Sequence, residues 1–254
     1  MSRQKLGQHF LAKGAILDRI ARAACPEQEP LVIEIGPGRG ALTGRLLERA
    51  KRVVAVEIDR ELIDFLASKF PGEPRLTVLH ADALETDLTQ WGATVITGNL
   101  PYYVATPIIE RVLAAGSGFE RAVFLIQKEV AARLAASPGS RDYGYLSVLT
   151  KLSADAEALF NVPPSAFRPP PKVDSTVIRL APRNRAAELG ISDPARFLEF
   201  VSRSFRQKRK TLRNNLAGTY GKEMVDAWPE AGLRAEQLTL EKFSELYRRA
   251  CHHI

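Results

Sequence analysis

The chain has 254 residues, is 45% hydrophobic and 26% charged, and carries a formal net charge of +7. This composition suits one sizeable core plus a small second unit and excludes a disordered polymer. With no apolar run near the roughly 18 residues of a membrane span, a helical membrane protein is excluded too. Cys25 and Cys251 stand far apart with no metal or redox spacing, which points to reduced thiols rather than a disulfide scaffold. The opening MSRQKLGQHFLAKG lacks the apolar stretch and cleavage site of a secretory leader, so a cytoplasmic location is expected. The tail CHHI places two adjacent histidines at a chain end, where solvated side chains are the rule, and no metal is expected.

The predicted elements alternate. After an arm, LGQHFL (6–11), β-rich runs occur at LVIEI (31–35), VVAVEI (53–58), LTVLHA (76–81), TVIT (94–97) and AVFLIQ (122–127). Stretches with helical spacing separate them, among them ALTGRLLERA (41–50) and RELIDFLASKF (60–70). Buried strands alternating with crossover helices predict an α/β fold with a parallel, Rossmann-like sheet that binds ligands beyond the carboxyl ends of its strands. Two later runs, YLSVLTKLSA (145–154) and STVIRLA (175–181), lie close around a loop and predict an antiparallel hairpin at the sheet edge. After Ala181 comes the polar, turn-rich PRNRAAELGISDP, whose SDP supplies an N-cap and a first-turn proline for a helix. The expected domains are residues 1–181, with the sheet and the N-terminal arm, and residues 182–254, small and all-helical.

Charge is unevenly placed. Residues 1–30 carry +2, residues 31–180 are neutral and residues 181–254 carry +5, so an anionic partner is expected at the ends. Read as one helix at about 100° per residue, the segment around FRQKRKTLRNNL puts Arg203, Arg206, Lys210 and Arg213 on one face. Phe197, Val201, Phe205, Leu212 and Leu216 gather on another. With Lys208 and Arg209, residues 203–213 hold six basic side chains and no acid, which suits contacts to phosphates. A plain solvated helix face is the alternative.

The loops beyond the strands carry the chemistry. EIGPGRGAL (34–42) follows the first strand, where glycines let a backbone pass close to a ligand and the next helix offers its N-terminal amides. Gly36, Gly38 and Ala41 satisfy the dinucleotide fingerprint G-x-G-x-x-G/A, and Glu57 stands where a ribose-binding acid is expected, so a nicotinamide enzyme is one reading. Glu34, two residues before the first glycine, favours another. A carboxylate there repels a pyrophosphate but suits a ligand with an ammonium and a sulfonium, and that ligand is S-adenosylmethionine. On this reading Glu57 accepts from both ribose hydroxyls and Asp82, in HADAL, accepts from the adenine amine.

GNLPYY (98–103) ends the fourth strand. An adenine N6 amine is a poor nucleophile because its lone pair is delocalised, and it needs geometry rather than a base. Two acceptors, the Asn99 side-chain oxygen and the Leu100 carbonyl, take its hydrogens, drive it toward tetrahedral and stabilise the developing charge. Pro101 stiffens the chain and offers no competing N–H. Tyr102 gives a face for the base, worth about 1–3 kcal/mol. Tyr103 is expected to pack inward.

Over almost its whole length the chain resembles the ribosomal RNA small-subunit adenine dimethyltransferases of the KsgA/RsmA type. The likeness rests on LGQHFL, EIGPGRGALT, VEIDREL, HADAL, GNLPYYVATPII, LIQKEVAARL, YGYLSVL, VPPSAFRPPPKVDSTVIRL and FRQKRKTLRNNL, an ordered set far more specific than any one motif. The resemblance implies an S-adenosylmethionine-dependent methyltransferase with cofactor contacts at His9, Leu11, Gly36, Glu57, Asp82 and Asn99. Glu34 and Gly38 join them from the loop reading above. Many relatives carry Asn where His9 stands, and a plain surface histidine is the alternative there. The resemblance assigns the acceptors on the target amine to Asn99 and Leu100, and the holding of the base to Tyr102 and Phe167, the latter in the proline-stiffened VPPSAFRPPP (162–171).

What the resemblance implies is methyl transfer to N6 of two adjacent adenosines in the 3′-terminal hairpin loop of small-subunit rRNA, twice on each. The expected partner is that rRNA in a partly assembled 30S subunit, met by a monomer. A large-subunit rRNA methyltransferase of the antibiotic-resistance type and a binding-only assembly factor are the alternatives, with the nicotinamide oxidoreductase behind them.

Overall fold

A computed structural model describes residues 9–251 of the chain. Strand β1 (Phe10–Leu11) opens it, followed by helix α1 (Gly14–Ala24), β2 (Val32–Ile35), α2 (Ala41–Leu47), β3 (Val53–Glu57), α3 (Arg60–Lys69) and β4 (Leu76–His80). Next come β5 (Thr94–Asn99), α4 (Ala105–Ala114), β6 (Phe119–Gln127), α5 (Lys128–Leu134), α6 (Tyr145–Ser153), β7 (Ala154–Val162), β8 (Phe167–Arg168) and β9 (Ser175–Pro182). Helices α7 (Arg185–Glu188), α8 (Pro194–Ser204), α9 (Leu212–Tyr220), α10 (Lys222–Asp226) and α11 (Leu240–Cys251) complete it.

The main sheet has seven strands in the order β4-β3-β2-β5-β6-β9-β7. Its first five are parallel, and β9 runs antiparallel to β6. β2, β3 and most of β5 are wholly buried, so they read as unbroken apolar runs rather than alternating ones. The chain reverses direction of crossover between β2, which leads out to β3 and β4, and β5, which lies on β2's other side. A crevice at the strand ends follows from that switch. β1 and β8 form a separate two-stranded ladder, Phe10 opposite Arg168 and Leu11 opposite Phe167, which fastens the N-terminal arm.

The edge hairpin exists, but its first strand is not the one expected. YLSVLTKLS is helix α6, which starts after Gly144, where Ser147 Oγ accepts from Gly144 N (3.1 Å) and donates to the Arg133 carbonyl (2.6 Å). A short apolar run with β-branched members reads either way by periodicity, and packing decides. The strand is the following ADAEALFNV, largely exposed at the sheet edge. Thr176 with Asn161 and Arg179 with Glu157 pair across β9 and β7 in opposite senses, as antiparallel neighbours do.

The chain divides into two compact units, residues 1–131 with 155–182, and residues 132–154 with 183–254. One break between the units falls at 182/183, and residues 132–154, which hold α6, group with the helical unit. In that unit Phe197, Phe200, Val201, Leu212, Leu216, Trp228, Phe243 and Leu246 form the core. Phe200 meets Trp228 and Tyr220 edge-on, at 6.4 and 5.5 Å between ring centres. The SDP signal is as read: Asp193 accepts from Arg196 N at 2.9 Å and Pro194 is the first helical residue. Among the described residues no helix is long and apolar enough to cross a membrane.

Candidate active site

The glycine loop after β2 is shaped by backbone that only glycine adopts comfortably. Gly36, Gly38 and Gly40 have φ of 66°, 55° and 67°. A Cβ on Gly40 would lie 2.7 Å from Leu66 and Phe70, so the loop also packs too tightly for a larger residue. Lys69 Nζ pins it from outside by donating to the carbonyls of Arg39 (2.8 Å) and Gly40 (3.2 Å). From above comes Phe10 on β1, whose ring lies 3.1 Å from where a Gly38 Cβ would be and carries the Arg39 guanidinium 4.8 Å over its face.

Glu34 is 1% exposed in the middle of β2, on the face it shares with Val32. Thr43, in the first turns of α2, donates to Glu34 Oε2 at 2.6 Å. Burial pushes the Glu34 carboxyl up to about 7, against the Thr43 hydrogen bond and with help from the nearby Glu57 charge. Because folding raises this pKa above the ordinary 4.5, folding favours the protonated acid, and that contribution is complete below about 4.5 and lost as pH rises through about 7. At 1.36 kcal/mol per pH unit, wild type should lose about 3 kcal/mol across this window relative to Glu34→Gln. Urea unfolding of both proteins at stepped pH checks it, and a constant difference would show that Glu34 is ionised throughout.

Glu57 ends β3 and is 5% exposed. Its Oε1 accepts from Ile58 N (2.9 Å) and Asp59 N (3.0 Å), and its Oε2 from Gly38 N (3.3 Å). Burial raises its pKa, these bonds oppose the rise without cancelling it, and they orient the carboxylate as an acceptor. They also occupy three of its roughly four lone-pair sites, so capacity remains on the Oε2 side alone. Asp82 sits just past β4 and accepts from Leu84 N at 2.8 Å.

Two neighbouring compartments form one groove at these strand ends. The first is lined by His9, Leu11, Glu34, Gly36, Gly38, Glu57, Asn99, Leu100, Pro101 and Tyr102, and the second by Glu57 and Asp82 among others. Every residue expected to touch the cofactor therefore lines it. His9 contributes differently from a side-chain ligand. Its carbonyl accepts from Asn99 Nδ2 (3.1 Å), while its ring Nδ1 bonds the Pro169 carbonyl (2.8 Å) and lies 5.7 Å from the Tyr102 ring. Since a carbonyl only accepts, this bond settles which end of the Asn99 amide is which and turns its oxygen the other way. Tyr102 is half-buried, with its hydroxyl 2.7 Å from Ser175 Oγ.

Phe167 departs from expectation. Its ring is wholly buried in the core beneath the arm, with Leu11, Ala166 and Val177 in the same cluster, and it presents no face to a base in this arrangement. Opposite Leu11 in the β1–β8 ladder, it supports the arm instead. Tyr103 departs the other way: 57% exposed, it borders both compartments. Phe10, Thr43 and Ile58 are site residues that the motif reading passed over. Thr43 stands in EIGPGRGALT and Ile58 directly follows Glu57, so their places were readable once those motifs were assigned.

The basic segment is not one helix. α8 ends at Ser204 and α9 begins at Leu212, with turns between them. Asn215 makes the break, donating to the carbonyls of Ser204 (2.8 Å) and Gln207 (3.2 Å) and accepting from Gln207 N (3.1 Å). The shared basic face therefore dissolves. Arg203 pairs with Glu199 (2.6 Å), Arg213 with Asp226, and Lys208 donates to the Arg141 carbonyl. Arg206, Arg209 and Lys210 are exposed on the loop, with no ion pair to another described residue.

Among the described residues no cluster of histidine, cysteine or carboxylate side chains is placed to hold a metal ion. A parallel sheet with a switch point, a glycine loop, carboxylates at successive strand ends and an amide acceptor beside an aromatic face define a Rossmann-like methyltransferase. The family described as ribosomal RNA adenine dimethylase matches residues 1–250, and the chain belongs to it. It is 44% identical to "Ribosomal RNA small subunit methyltransferase A" of Acidobacterium capsulatum, over 96% of this chain and 89% of that protein. The protein of the same name from Xanthomonas campestris is 43% identical, over 96% and 95%. Among solved structures, a dimethyladenosine transferase from Plasmodium falciparum superposes with a TM-score of 0.79 at 27% identity, covering 95% of this chain and 98% of that one. The 23S rRNA methyltransferase ErmE superposes at 0.69 with 28% identity, covering 95% and 99%.

Proposed function

We propose that the protein uses S-adenosylmethionine to dimethylate N6 of two adjacent adenosines in the 3′-terminal hairpin loop of small-subunit rRNA, acting as a monomer on a partly assembled 30S subunit in the cytoplasm. The observation that carries the reading is the turn Asn99–Tyr102, with the Asn99 amide nitrogen held by the His9 carbonyl, which leaves its oxygen to accept in the groove that Tyr102 also lines. The relatives named for the small subunit favour that substrate over the large-subunit alternative that ErmE represents.

The groove's chemistry fits the cofactor. Its carboxylates Glu34, Glu57 and Asp82 match a ligand that is cationic at one end and rich in N–H and O–H groups at the other. When bound, this cofactor supplies an electrophilic methyl group on sulfur. The chain's own residues do the rest. Asn99 Oδ1 and the Leu100 carbonyl accept the amine hydrogens and raise the lone pair toward the methyl group, Tyr102 holds the base, and Pro101 keeps the turn rigid. Dimethylation follows from the same geometry, because a monomethylated amine still has one N–H to give and no base has been consumed. A loop adenosine suits a stacking site, since unpaired bases can be splayed out and read on their edges.

Unmethylated small subunits incubated with labelled S-adenosylmethionine should acquire dimethyladenosine at two adjacent positions of the 3′-terminal loop. Cofactor binding with no transfer there, or transfer to large subunits instead, would overturn the assignment. Arg206, Arg209 and Lys210 are the cations left to hold phosphates. Neutralising all three should flatten the salt dependence of subunit binding by about two to three units of log K against log salt. An unchanged slope would return the loop to a solvated surface.

A further inference from the structure

Tyr103 has no part in the chemistry above, yet its position is unusual. Tyr102 and Tyr103 are consecutive on one turn and serve opposite sides. Tyr102 is half-buried against Ser175 and His9. Tyr103 is 57% exposed and, with Gly36, Glu57, Ile58 and Pro101, is one of the residues common to both compartments of the groove. Ile58, 52% exposed, is the other large apolar side chain left open there. The Glu57 and Asp82 carboxylates lie near enough to add to the rise that burial causes in the Tyr103 pKa, so the phenol stays neutral. Apolar surface left open beside fixed acceptors suits a flat group with an apolar face and a polar rim.

We propose that Tyr103 is a cofactor-positioning residue whose ring forms a wall for the nucleoside part of S-adenosylmethionine, between the Glu57 and Asp82 carboxylates and alongside Ile58. The proposal rests on the reading that this groove takes that cofactor. One turn then serves both reactants, Tyr102 the target base and Tyr103 the methyl donor. The turn holds them in fixed relation through Pro101, whose carbonyl accepts from Val104 N at 3.1 Å.

Calorimetric titration with S-adenosylhomocysteine, paired with steady-state kinetics on small subunits, tests it. Tyr103→Ala should weaken S-adenosylhomocysteine binding about tenfold and raise KM for S-adenosylmethionine similarly, leaving kcat at saturation and subunit affinity near wild type. Tyr103→Phe, which keeps the ring, should stay within about threefold. An exposed position leaves the fold intact, and matching thermal unfolding curves confirm it. Wild-type affinity in Tyr103→Ala, equal losses in the Ala and Phe variants, or a loss confined to subunit binding would each overturn the proposal. A wild-type protein that does not bind S-adenosylhomocysteine at all would instead overturn the cofactor reading beneath it.

Discussion

Asn99→Ala should abolish methyl transfer, by a factor of about a thousand or more, while subunit binding stays largely intact. Removing one preorganised acceptor at a developing charge costs about 2.7–4 kcal/mol, and here the geometry removes more than a single contact. The Asn99 side chain also ties β5 to the arm through the His9 carbonyl, so its loss frees one side of the groove. Asn99→Asp separates the two effects. It keeps an oxygen toward the base but sets a carboxylate against the His9 carbonyl, which a carboxylate cannot bond. Transfer by Asn99→Asp should therefore recover only in part, with weakened cofactor binding. Single-turnover methylation alongside subunit-binding titrations measures both variants. Equal loss of transfer and subunit binding in Asn99→Ala would remove Asn99 from the reaction and leave it a structural tie.

Gly98→Ala should be the most damaging one-carbon change in the sheet. Gly98 lies within β5 and not at positive φ, so its backbone conformation alone would accept another residue. The obstacle is proximity: an added Cβ would press on the Ile35 carbonyl oxygen closer than real Cβ atoms come to any backbone atom. Ile35 ends β2 just before Gly36, and Gly98 immediately precedes Asn99, so the two chains in collision carry the glycine loop and the acceptor turn. Neither is a flexible side-chain tip. Relief requires the two central strand ends to part, and overpacking of this kind costs about 1–3 kcal/mol. Expected results are a loss of that size in urea unfolding and a loss of S-adenosylhomocysteine binding by at least tenfold. Wild-type binding in a destabilised Gly98→Ala would mean that the strand ends part without moving the groove.

Features set by neighbours along the chain were legible in the sequence, and features set by distant packing were not. The place of Asn99 in the groove was readable because its turn is local, with Leu100, Pro101 and Tyr102 set beside it by the chain itself. The same is true of Glu34 with the glycines and of Glu57 at the close of an apolar run. What packing against distant chain decides was not readable. Phe167 stands in a proline-rich loop that looks like a rigid platform, and only the pairing of β8 with β1, 156 residues apart at Leu11 and Phe167, turns its ring into the core. The break in the basic segment depends on Asn215 reaching back to Ser204 and Gln207, which competes with a helix that residue spacing alone favours.

By itself the sequence determined the alternating β/α order, the chemical groups at each strand end and the family, because these follow from local apolar runs and from motifs whose residues act together along the chain. Tertiary structure alone decided which tyrosine of the turn is covered and which is open, where Asn99 points and how high the Glu34 carboxyl titrates. Each of those depends on burial and on partners brought from elsewhere in the chain: the arm's His9 carbonyl, Ser175 on β9 and Thr43 on α2.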